Sequence, residues 1–191
     1  MRSSWRASLP FKCMAFVVAM ALAACSPTLN WRIVHLQQMT ALLPCKPEQA
    51  QRTVRLGAQE VQMRMAGCEA DGALFAMSQV DVGVRSNASD ALAAWRAVTL
   101  DNLGSATPTA LPFKVARPML QNGHLQAVGE SGQTGLSPER VAVTGKRADG
   151  SAIQAQLAWI ADGTSLYQIA VYGPRLTPDM VETLFSEIRI Q

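Results

Sequence analysis

Residues 140–173 constrain the fold more than any other part of the chain. Three runs, 140–146, 152–160 and 165–173, alternate apolar and polar side chains, and Asp149-Gly150 and Asp162-Gly163 separate them. Successive side chains of a strand point to opposite faces, so alternation with a period of two marks a half-buried strand. Asp-Gly between two such runs supplies the positive φ of a tight hairpin turn. The segment therefore predicts a three-stranded antiparallel meander. Ile153, Ala155, Leu157 and Trp159 share one face of its middle strand, and Tyr167, Ile169 and Val171 share a face of the next.

The same signals recur upstream. Residues 31–36 alternate, which predicts a strand with Trp31, Ile33 and His35 on one side. Residues 42–46 and 52–56 are short extended candidates interrupted by Pro44 and Pro47. Val61, Met63 and Met65 alternate with Gln62, Arg64 and Ala66, and a further strand over 73–82 follows a turn at Asp71-Gly72.

Two helices are expected. Over 89–103, Leu92, Trp95, Val98 and Leu103 recur at helical spacing, with Gly104 placed to cap the C-terminus and Trp95 as the core anchor. Thr177-Pro178-Asp179 opens the second: Thr caps, Pro fits the first turn, and Asp complements the helix dipole. Val181, Leu184, Phe185 and Ile188 form its apolar stripe, and residues 189–191 extend as an edge strand. Residues 104–140 are rich in Gly, Pro, Ser and Thr without a regular period, so they are expected as a long loop and as the place for a binding surface. The order of elements predicts an α+β fold, an antiparallel β-sheet with two packed α-helices, in a single domain over 31–191.

The N-terminus has the layout of an export signal. Arg2, Arg6 and Lys12 stand without an acidic residue, residues 14–22 are apolar, and Ala23 and Ala24 precede Cys25. The apolar run is far shorter than the ~20 residues of a permanent membrane span. Leu22-Ala23-Ala24-Cys25 resembles the lipobox of bacterial lipoproteins. The resemblance implies that residues 1–24 are removed, that the Cys25 thiol is lipidated, and that 25–30 form a tether. Stable anchoring takes two or three acyl chains, since one gives marginal binding. Ser26, where an Asp would imply inner-membrane retention, implies the outer membrane, with the domain facing the periplasm.

Charge narrows the partners. The 17 basic and 14 acidic side chains give a formal +3, but all three basic residues of the signal leave on processing, and 14 of each sign remain. Nucleic acid needs a basic stripe, and here the only adjacent cations, Lys146-Arg147, fall at an expected turn. No nucleic-acid partner is expected.

With Cys13 in the signal and Cys25 lipidated, Cys45 and Cys68 remain as one pair. In an oxidising compartment they are expected as a structural disulfide across a 23-residue separation. A redox pair lacks the Cys-x-x-Cys form, and a metal site with His35 and His124 lacks short ligand spacings.

Catalytic signals are thin. His35 and His124 are the only histidines, and Gly129-Glu130-Ser131-Gly132 lacks the Gly-x-Ser-x-Gly form of a nucleophile elbow. No Gly-Lys-Ser/Thr phosphate loop is present, and no catalytic, metal or cofactor-binding residue is assigned. The closing pattern, a hairpin strand with Leu166-Tyr167, a helix carrying Phe185 and a terminal strand, resembles the Mog1/PsbP-like group of small exported α/β proteins, whose members act mostly as binding or assembly factors. The expectation is a non-enzymatic, lipid-anchored module that binds an envelope protein. Two alternatives stand beside it: a small hydrolase using His124 with a Ser or acid from 129–139, and a carrier of an apolar ligand held between sheet and helix.

Overall fold

The computed structural model describes residues 29–84, 86–104, 107–121, 124–128 and 136–191, without the side chains of 117–128. In chain order its strands are β1 (Arg32–Leu36), β2 (Met39–Leu43), β3 (Glu48–Leu56), β4 (Gln59–Ala70), β5 (Ala73–Asp81), β6 (Thr109–Leu111), β7 (Arg117–Gln121), β8 (His124–Val128), β9 (Glu139–Lys146), β10 (Ala152–Asp162), β11 (Ser165–Gly173) and β12 (Arg189–Ile190). The helices are α1 (Ala88–Asp101), between β5 and β6, and α2 (Pro178–Ser186), between β11 and β12.

The strands form a seven-stranded sheet in the order β3-β4-β5-β11-β10-β9-β6, a three-stranded sheet β1-β2-β12, and the hairpin β7-β8. Every ladder is antiparallel. The expected meander is β9-β10-β11, with Gly150 and Gly163 both at positive φ in its turns. Asp71 and Gly72 also take positive φ, 49° and 72°, and close the β4-β5 hairpin as two-residue turns of this kind require.

The period-two alternation of the large sheet builds two cores. On one face Phe75, Met77, Ile160, Tyr167, Ile169 and Val171 pack against Met39 and Leu43 of the small sheet and against Met180, Val181, Leu184 and Phe185 of α2. On the other face Trp95 and Ala91 of α1 pack on Leu56, Val61, Met63, Val80 and Leu166. Beside them Leu103 packs on Val141, Val143, Ile153, Leu157 and Trp159. The chain leaving α1 crosses β9 at Gly145. A Cβ there would run into the Leu103 carbonyl, which instead accepts from the Lys146 N–H at 3.1 Å.

The expected α+β class is corrected. The fold is predominantly β, with two stacked sheets and two short helices. The first layer over the large sheet is not made of helices alone, because β1, β2 and β12 form a sheet of their own on that face and α2 lies against β2. Pairing between the first strands and the last is not visible in local periodicity, which is why the sequence pattern missed the second sheet. The stretch 104–140 is likewise corrected from one long loop: it carries β6, β7 and β8. No described helix is long and apolar enough to cross a membrane.

Cys45, just before β3, is bonded to Cys68 on β4, with a Cα separation of 5.9 Å. This disulfide fixes the open end of the β3-β4 hairpin, opposite its turn at Gly57. With both sulfurs bridged, the alternative of thiolate metal ligands is set aside.

Candidate functional site

The site is built by α1 and the strands beneath it. Asn87 caps the helix, its side-chain oxygen accepting from the Ser89 N–H at 3.0 Å, and Asp90 lies in the first turn, where a negative charge complements the dipole. The helix ends at Asn102, and Gly104 at φ +74° turns the chain away, donating to the Asp101 carbonyl. Ala91 and Trp95 are the helix residues fully buried on the sheet. Val98, expected in the buried stripe, is instead 52% exposed. At its level the helix leaves the sheet partly uncovered, and an open groove of about 820 Å³ lies there.

The floor of the groove comes from Met63 and Met65 of β4, Ala76 and Ser78 of β5 and Gln168 of β11. Trp95, Val98 and Thr99 form the helix wall, and Arg52, Val54 and Leu56 of β3 contribute the opposite one. Leu74, 40% exposed, and Tyr172 lie towards the β4-β5 turn. One polar relay spans the floor: the Gln168 side-chain amide donates to the Thr99 hydroxyl at 3.1 Å, and that hydroxyl donates to the Trp95 carbonyl at 2.9 Å. It ties β11 to α1 while satisfying a glutamine that is 8% exposed. Burial pushes the Tyr172 phenol up to about 12. Charge collects at the rim as Arg52 and Arg147 against Glu69. The arrangement offers apolar contact edged by cations, suited to holding a partly apolar partner.

The residues singled out in the sequence do not converge on it. Cys25 lies outside the described residues, as do Glu130 and Ser131. His35 is exposed on β1, its Nδ1 3.1 Å from the Thr40 hydroxyl across the β1-β2 hairpin. His124 begins β8 opposite Gln121, and its side chain is outside the described part. Glu139 is paired with Arg96 at 2.8 Å, beside α1. The groove residues on β3 and β4 were read in the sequence as ordinary strand positions. The one available signal was a cation, Arg52, on the apolar face of an otherwise amphipathic strand.

Fold and groove together define a class: a disulfide-stapled, predominantly β module with a partly open cleft under its longer helix. No family model and no curated protein matches the chain. Among solved structures it is similar to the apo immunity protein TplEi of T6SS from Pseudomonas aeruginosa. That likeness has 10% identity, covers 96% of this chain and 85% of that one, and has a TM-score of 0.34, too low to carry a functional argument.

Proposed function

We propose that this protein is a lipid-anchored component of the bacterial cell envelope whose domain binds a protein partner and catalyses no reaction. The anchor is Cys25, and the domain faces the periplasm from the outer membrane. The observation that carries the binding role is the groove, where Val98, Met65 and Leu74 leave apolar surface open beside the cations Arg52 and Arg147. Apolar side chains gathered at one open cleft, rather than scattered singly, favour a binding surface. A protein segment both covers it and answers the charged rim.

The test is a photo-crosslinking residue at Val98 in the full chain, activated in intact envelopes. One dominant protein adduct is expected, and it should be lost when Met65→Arg places a charge on the groove floor. Adducts spread over many proteins, unaffected by that change, would sink the reading. A small apolar ligand is the second reading, favoured by the Met63-Met65 floor. It predicts an acyl-chain compound released by organic extraction of the purified protein and no protein adduct.

A further inference from the structure

β3 is the outermost strand on one side of the seven-stranded sheet, and its far edge has no backbone partner among the described residues. It is nine residues long, and Glu48 through Thr53 are exposed. The strand at the other side of the sheet, β6, has three residues. Proteins blunt long edges with a bulge, a proline, a covering element or charge. β3 pairs with β4 without interruption from Glu48↔Gly67 to Leu56↔Gln59, so it has no bulge, and no proline lies within it. Among the described residues its protection is charge.

Within the strand the cations Arg52 and Arg55 stand against one acid, Glu48. Arg52 points to the groove face and Arg55 to the other, with Lys46 just before the strand and Arg64 on its neighbour β4. The acids are Glu48 at the start, Glu60, which Arg55 holds at 3.4 Å, and Glu69 near the end of β4. Two copies joined edge to edge about the middle of β3 would set Arg52 against Arg52, a repulsive cross-strand pair. An acidic strand meets no such penalty, and its carboxylates match the cations that keep copies apart.

We infer that β3 accepts an extended, acidic segment of a partner protein, which adds to the sheet as an eighth strand beside Arg52. Backbone hydrogen bonds to the free edge hold the segment, and charge selects it. The inference rests on the groove as binding site, because β3 is one of its walls: side chains of the added strand lie next to Arg52, Val54 and Leu56 on that face. On the opposite face the segment meets a polar row in which the Gln51 amide donates to Gln62 and the Gln62 amide donates to Thr53, so polar residues are matched there.

The test uses the full chain with Cys25→Ala and a blocked nine-residue peptide alternating glutamate with threonine. Its control has lysine in place of glutamate. The glutamate peptide is expected to bind and to slow amide exchange in β3. Arg52→Glu is expected to weaken it about fivefold and to favour the lysine peptide instead. Equal binding of both peptides, unchanged exchange in β3, or a dimer formed through β3 would each overturn the inference. Protection of α1 with β3 unchanged would overturn strand addition while leaving the groove reading standing. Failure of the Val98 crosslink as well would remove both.

Discussion

Tyr172 is where the chemistry of a single side chain bears most directly on stability. It lines the groove beside Leu74, and burial disfavours its anion. In the unfolded chain the phenol ionises near pH 10, and in the folded one near 12. The folded state therefore keeps a proton that the unfolded state releases. The contribution is complete below pH ~10 and is lost as pH rises towards ~12. Tyr172→Phe has no such proton to lose. Its urea midpoint is expected to fall less steeply than the parent's across that window, with the difference reaching about 1–2 kcal/mol at the alkaline end. A constant gap at all pH values would mean that the hydroxyl acts by packing alone. Tyr167 is shifted upward by burial too, so the variant keeps part of the alkaline sensitivity.

At the level of elements, the disulfide acts on one hairpin. Cys45–Cys68 joins the residues just before β3 to β4, across 23 positions of chain. Closing a loop of that size lowers unfolded-state entropy by an amount worth about 3 kcal/mol. The double substitution Cys45→Ser with Cys68→Ser is expected to lose about that much by urea unfolding, and amide exchange in β3 should quicken more than in β10. A uniform increase over the whole sheet would mean that the bridge supports the fold globally. Elements with strong local grammar were legible in the sequence. The Asp-Gly turns set the meander, and Thr177, whose hydroxyl accepts from the Met180 N–H, sets the start of α2. Elements with two possible phases were not. In β1 the adjacent apolar residues Ile33 and Val34 fit either face. Packing chose Val34 and Leu36 for the interior and left Ile33 66% exposed. Val98 failed for a related reason: helical spacing reports which residues align, not how far the sheet extends beneath them.

For the whole molecule the question is where it sits and what it meets. If Cys25 carries the anchor, the full chain is expected in the membrane fraction and Cys25→Ala in the periplasmic extract, with the lipid mass absent from the variant. Recovery of both forms in the same fraction would exclude lipid anchoring. None of this depended on the fold class, where the sequence reading failed. Each short strand of the small sheet looks like a fragment by itself, and only the meeting of β1 and β2 with β12 makes them a layer. The groove was hidden by the same non-locality, since its walls come from β3 and α1, more than 30 residues apart, and its floor is shared by β4, β5 and β11.

The pairing of β2 with β12 also sets an order of events. Arg189 and Ile190 lie against Thr40 and Met39, and the Gln191 N–H donates to the Gln38 carbonyl at 3.0 Å. The strand made after every other described one thus completes the sheet begun by the first two. While residues 189–191 are still within the ribosome, Met39 and its neighbours wait without this partner. Such long-range contacts form late and slowly. The small sheet is therefore the layer whose closure depends on the contact most distant in sequence, whatever the order in which the large sheet assembles.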